Sequence, residues 1–193
     1  MLNIVLIRPG ATDYDLQERI QGTLDIPLNE QGLAEAAQAA EQLRDKGLKI
    51  IYAPPSEPAY RTAQIIAQTL GIKMRKLDRM QNLNQGLWQG MPIKDVRRKH
   101  PKVYRQWQEQ PENVCPPEGE MLSAADQRVR SAMLKLLKRH KEGIIGVCVP
   151  EPLLSLVRHF ITNTALGDLW KPTNGHGQME ILQIEPEEVL VKG

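Results

Sequence analysis

Leu2-Asn3-Ile4-Val5-Leu6-Ile7-Arg8-Pro9-Gly10-Ala11-Thr12 is the stretch that decides the fold. Its first part, Leu2 to Ile7, is a short apolar run rich in β-branched residues, and Pro9-Gly10 closes it. A run of that length and composition reads as a buried strand that ends in a loop suited to function. Two comparable runs follow, Lys49 to Tyr52 and Ile144 to Val149.

Helical spacing fills the gaps between these runs. Leu33, Ala36, Ala37, Ala40 and Leu43 fall on one face, and Gly47 is placed to stop that helix. A second helix is predicted from about Glu57 to Leu70, with Ser56 as its cap and Ala59, Ala63, Ile66 and Leu70 inward. A third starts near Ser123, with Asp126 in its first turn and Val129, Met133 and Leu136 inward, and the last follows Pro152. Strands alternating with helices predict an α/β domain of three layers, α/β/α, around a largely parallel sheet whose ligand site lies at the carboxyl ends of the strands. The region from Met80 to Pro117 carries Trp- and Pro-containing turns and reads as an irregular insertion covering the sheet. Residues 1–193 are therefore expected to form one domain, a size that gives a substantial core.

Composition narrows the classes of function. Lys and Arg number 25 against 23 Asp and Glu, too even a balance for a nucleic-acid or anionic-membrane footprint. The short basic stretch Arg97, Arg98, Lys99 and Lys102 reads as a solvated helix face. Cys115 and Cys148 show neither C-x-x-C spacing nor a disulfide framework, so both are expected to be packing thiols in a reducing compartment. The first residues lack the charged head and apolar length of a signal peptide, and no run is long enough to span a bilayer, so the expected location is cytoplasmic. No spacing of His, Cys, Asp or Glu matches a zinc or calcium site, and no cofactor is expected.

The loop Arg8-Pro9-Gly10-Ala11-Thr12, followed by Arg19-Ile20-Gln21-Gly22, Asp25, Pro27-Leu28 and Gly32, resembles the opening of the histidine phosphatase superfamily, which includes the phosphoglycerate mutases. Thr62-Ala63, Gly86-Leu87-Trp88-Gln89-Gly90, Pro116-Pro117-Glu118-Gly119-Glu120 and the strand Ile144 to Val149 extend the likeness over most of the chain. Taken together these segments imply a phosphoglycerate mutase-like fold, although each alone is weak.

The resemblance also fixes where the family's chemistry belongs. A neutral imidazole attacks phosphorus, and that position is Pro9. The second histidine falls at Pro150, the second arginine at Pro58 and the general acid at Asn82, an amide that does not titrate near neutral pH. Arg8 keeps one of the cations that clamp a phosphoryl group. The implied catalytic set is thus absent, and a residual pocket of Arg8, Asp15, Gln21, Gly22, Arg61, Glu151 and His176 is expected.

Three of these residues carry a separate argument. The resemblance implies that the turn Asn174-Gly175-His176-Gly177 approaches the site and brings His176 to it, whereas His100, His140 and His159 lie in helical segments. Glu151 or Asp15 is expected to sit at the N-terminus of the helix after Pro152 as an internal anion, excluding phosphate. The main expectation is a chain without catalysis that serves as a ligand-binding, regulatory or protein-interaction module, its partner a protein or a small molecule, with a homo-oligomeric structural part as a further option. The alternative is a phosphomonoester phosphatase or mutase that uses non-standard residues.

Overall fold

The computed structural model describes residues 1–166, 168–171 and 175–192, the last three by backbone alone. Strands β1 (Leu2–Ile7), β2 (Ile50–Ala53), β3 (Lys73–Lys76), β4 (Gly143–Cys148) and β5 (Met179–Ile184) form one sheet in the order β3-β2-β4-β1-β5. All neighbours run parallel except β5, which pairs antiparallel with β1. The expected α/β fold with a largely parallel sheet is therefore present.

Side-chain alternation along β1 sets the layers. Leu2, Ile4 and Leu6 join a core with β2, β4 and the helices α6 (Leu122–Arg139) and α7 (Leu153–Thr162). Val5 and Ile7 point the other way, against α2 (Glu30–Leu43) and α3 (Ala59–Leu70). Because both faces are covered, β1 reads as continuous apolar sequence rather than as an alternation.

Several sequence readings shift. The inward face of α2 is Ala36, Ala39, Ala40 and Leu43, while Leu33 and Ala37 are exposed, because the helix starts at Glu30 with Asn29 as its cap. Helix α3 begins after Pro58, with no side-chain cap from Ser56, and α6 begins after Met121, with Asp126 paired to Arg130. Met80 to Pro117 is more regular than expected: α4 (Ile93–Lys99) and α5 (Pro101–Glu109) lie between the 3-10 turns Gly86–Trp88 and Pro111–Asn113. Val96 and Trp107 are the residues those two short helices bury, which leaves too thin a periodic signal to read. The last helix is not the one after Pro152 but α8 (Pro186–Lys192), opened by proline and two acids in its first turn. Cys148 is buried, and burial pushes its thiol up; Cys115 is exposed, so it is not a packing thiol. Among the described residues no helix is long and apolar enough to cross a membrane.

The loop after β1 crosses the start of α2 with no room for a side chain. A Cβ on Gly10 would overlap the backbone of Gly32, and a Cβ on Gly32 would overlap Ala11. Gly10→Ala is expected to lower stability by about 1–3 kcal/mol through overpacking, read as a lower urea midpoint at unchanged slope.

Candidate active site

The site is assembled on the backbone that leaves β1. Gln178 accepts from the Arg8 amide at 3.0 Å, and the Gly177 amide is shared between the Arg8 and Pro9 carbonyls, each at 3.1 Å. This pairing lays the Gly175–Gln178 turn across the start of the loop and puts His176 over Arg8. On the other side the Gly10 amide donates to Thr62 Oγ1 at 3.2 Å, and that hydroxyl donates to the Pro58 carbonyl at 3.0 Å. The start of α3 is thereby drawn to the same place. The Ala11 amide donates to Glu35 Oε2 of α2 at 2.8 Å.

Helix α1 (Asp13–Leu16) follows at once, opened by a reciprocal capping box between Thr12 and Asp15. The Thr12 amide and hydroxyl both donate to Asp15 Oδ2 at 2.8 Å, and the same hydroxyl lies 3.3 Å from Gln21 Oε1. Those contacts fix Asp15 with its other oxygen, Oδ1, 3.8 Å from His176 Nε2.

A cavity of about 100 Å³ lies at the centre of these contacts. Its walls include Arg8, Pro9, Asp15, Gln21, Gly22, Pro58, Pro150, Glu151 and His176. The cavity therefore brings together Pro9, Pro58 and Pro150 with Arg8, Asp15, Gln21, Gly22, Glu151 and His176. Arg61, expected in the residual pocket, and Asn82, at the general-acid position, both lie off the cavity wall. Arg61 is exposed and donates to Gln64 at 2.6 Å, because it sits on the outer face of α3. Asn82 is buried outside the cavity wall, where its amide donates to the Glu151 carbonyl at 3.0 Å and thus holds the turn before α7. Asn174 lies outside the described residues.

Sequence reasoning missed Arg19, Gln85 and Trp170 on the same walls. Arg19 was visible only as part of a matching segment; its Nη1 donates to the Gly90 carbonyl at 2.6 Å. Gln85 is almost wholly buried, and its Oε1 has no hydrogen-bond partner. The cavity opens into an outer chamber of about 320 Å³ that shares Arg8, Asp15, Arg19, Trp170 and His176 and adds Lys94, Arg97 and Lys171.

Charge in the inner cavity is finely divided. Burial lowers the Arg8 pKa, opposed by the fields of Glu151, Asp15 and Glu35. Glu151 turns Oε2 onto the N-terminus of α7, accepting from the Ser155 amide at 3.1 Å and its hydroxyl at 2.8 Å, while Oε1 is buried without a partner. A carboxylate thus occupies that helix end.

His176 is set for a neutral ring. Burial lowers its pKa, the Arg8 guanidinium lowers it further, and Asp15, Glu35 and a hydrogen bond with the Pro9 backbone oppose them. Arg8 Nη2 lies 3.2 Å from Nε2 and can only donate, so Nε2 accepts and the other ring nitrogen is left to donate to the Pro9 carbonyl. An imidazole with its proton committed to backbone and its lone pair beside a guanidinium is suited to nucleophilic or base chemistry on an anion.

Residues 4–193 match the family described as the histidine phosphatase superfamily (branch 1). The chain belongs to that superfamily. It is 33% identical over 140 residues to "Phosphoserine phosphatase 1" of Hydrogenobacter thermophilus, a match covering 72% of this chain and 66% of that protein. It is 31% identical over 167 residues to "Probable phosphoglycerate mutase GpmB" of Yersinia pestis, covering 82% and 78%. Among solved structures, "Bacillus stearothermophilus YhfR" superposes with a TM-score of 0.82 at 25% identity, over 95% of this chain and 92% of that one. The chain spans just under two thirds of the length of the phosphoserine phosphatase.

These relatives correct the main functional expectation. The absence of the family's usual residues at positions 9, 58, 82 and 150 pointed to a chain without catalysis. Relatives at 31–33% identity are instead named for phosphoryl chemistry, which favours the phosphatase alternative.

Removing a carboxylate from beside Arg8 is expected to raise inorganic phosphate affinity by about tenfold, since like charge near a bound anion at short range costs on the order of 1.4 kcal/mol. Titration calorimetry of Asp15→Asn and Glu151→Gln against the unmodified chain checks this, and unchanged affinity in both would remove the carboxylates as the control on binding.

Proposed function

We propose that this protein is a phosphomonoester phosphatase in which Arg8 binds the phosphoryl group and His176 attacks it. The observation that carries the reading is the contact between Arg8 and His176 at the carboxyl end of β1. In a mostly parallel sheet that end is where ligands bind, and a neutral imidazole whose Nε2 lone pair is held by the Arg8 guanidinium, and is released when a phosphoryl group takes up the Arg8 donors, supplies both a nucleophile and a clamp. The relatives named as a phosphatase and a mutase support the same class of reaction.

In the first step His176 Nε2 bonds to phosphorus as the ester P–O bond breaks, and the leaving oxygen takes a proton. Water then attacks the phosphoryl-imidazole, releasing inorganic phosphate and restoring the ring. The hydrogen bond from the ring to the Pro9 carbonyl holds the tautomer and supports the positive charge that the ring gains on attack. Glu151, with Oε1 unpartnered, and Asp15 are the carboxyls placed to pass protons to the leaving oxygen and from the water. Arg8 spreads charge from the transferring group, the main resource for phosphoryl transfer. Lys94, Arg97 and Lys171 around the outer chamber favour an anionic substrate.

Turnover is to be measured on phosphoserine, 3-phosphoglycerate and p-nitrophenyl phosphate, with acid-labile phosphoenzyme trapped in the same reactions. His176→Ala should abolish both signals, and Arg8→Ala should cut kcat/KM by about 10²–10³. Absence of turnover on every substrate, or full turnover in His176→Ala, would sink the reading.

The pH profile gives an independent check. The His176 pKa is depressed below its ordinary 6.5, so the reactive neutral ring is present above that value and lost as pH falls through the lowered one. The acid limb of kcat/KM should therefore lie below pH 6.5, whereas a limb above it would mean that another group controls the rate.

A further inference from the structure

A second cleft lies at the β2–β3 edge of the sheet, apart from the site at β1. Tyr52, Lys76, Leu77, Asp78, Arg79, Ala132, Lys135, Leu136 and Arg139 enclose about 240 Å³. Tyr52 belongs to β2 and Lys76 ends β3, so the cleft stands at the carboxyl ends of two parallel strands. None of its wall residues lines the cavity beside His176.

Four cations, Lys76, Arg79, Lys135 and Arg139, all exposed to solvent, line it with one carboxylate, Asp78, a formal charge of +3. Among the described residues none of the four forms an ion pair. Cations in the last turn of α6 complement its dipole, which accounts for Arg139 but not for Lys76 and Arg79 on the facing wall. Like charges gathered in a cleft repel, and a bound anion is what relieves that cost.

The cleft is also built rather than incidental. Arg79 has φ +63°, a left-handed conformation that non-glycine residues rarely adopt, and Arg128 donates to its carbonyl at 2.9 Å. The same guanidinium donates to the Gln81 and Asn82 carbonyls at 2.7 and 3.2 Å and pairs with Glu120 at 2.6 Å. At the floor, the nearly buried Tyr52 hydroxyl lies 2.8 Å from His140 Nε2.

We infer that this cleft is a binding site for a compact multivalent anion, a diphosphate group, separate from the site at β1. The +3 charge matches a diphosphate better than a monoanion. Lysines and an arginine pair supply donors from both walls. The diphosphate belongs either to free pyrophosphate or to a nucleoside diphosphate, which share this chemistry.

Titration calorimetry with pyrophosphate and ADP, at fixed ionic strength, tests the assignment on the full chain. The variants are Lys135→Ala/Arg139→Ala, Lys76→Ala/Arg79→Ala and Arg8→Ala, with circular dichroism and thermal melting as controls on folding. At least one diphosphate should bind the unmodified chain, with an affinity that Arg8→Ala leaves within about threefold and that either double variant weakens by at least tenfold. Equal affinity for both ligands assigns free diphosphate recognition; tighter ADP assigns the nucleoside diphosphate. Loss of binding in Arg8→Ala, full binding in both double variants, or no binding by the unmodified chain overturns the inference. Because the variants separate the two sites, these outcomes are distinct from failure of phosphatase activity.

Discussion

Everything at the candidate active site depends on how β1 is hydrogen-bonded at its carboxyl end. The strand is paired on both sides, parallel to β4 and antiparallel to β5, and the antiparallel partner arrives through a turn tied to Arg8 and Pro9. An antiparallel edge strand brings its incoming turn to the same end of the sheet at which the parallel strands deliver their loops. His176, 168 positions from Arg8 in sequence, meets it for that reason. With β5 parallel instead, the turn before it would lie at the opposite end of the strands, and the site would hold a guanidinium and carboxylates with no imidazole.

The same constraint explains what the sequence made legible. Buried parallel strands covered on both faces declare themselves as continuous apolar runs, so β1, β2 and β4 were readable to within a residue or so. The edges were not. β3, Lys-Met-Arg-Lys, is a mostly exposed strand whose charge suits an unpaired edge, and it carries no apolar pattern to detect. β5 is half-exposed, and its identity rests on pairing with β1 rather than on its own composition. The edge strands therefore had to be found by their pairing: β5 through the turn that carries His176 to β1, and β3 through the cleft that Lys76 lines.

Residue types at the site were legible by likeness, while their partnerships were not. Pro9, Pro58, Pro150 and His176 line one cavity. Spacing carried no information about the tautomer that Arg8 and the Pro9 carbonyl impose on that ring, nor about the unpartnered oxygens of Gln85 and Glu151. Arg61 and Asn82 show the converse. Each stands at a position that the likeness marks, but helix phase turns Arg61 to solvent, and Asn82, an amide that cannot act as an acid, donates to the Glu151 carbonyl.

Three prolines in the wall change what the cavity can do. A proline contributes neither a side-chain donor nor an amide hydrogen, so this wall binds anions less well than one built of histidine and arginine. Polar chemistry must then come from the other lining residues, Arg8, His176, Asp15 and Glu151 among them. Asp15 and Glu151 outnumber the one half-buried guanidinium beside them, so these groups carry no net positive charge, and the Lys94, Arg97 and Lys171 side chains line the entrance chamber. In the proposed reaction long-range attraction is separated from the reacting centre: the outer cations would raise the local concentration of an anionic substrate. The inner carboxylates would weaken ground-state binding of the phosphoryl group and, by handling its protons, favour its departure. A phosphatase site arranged this way would hold its product loosely, because inorganic phosphate would meet the same carboxylates once the bond to the imidazole was broken.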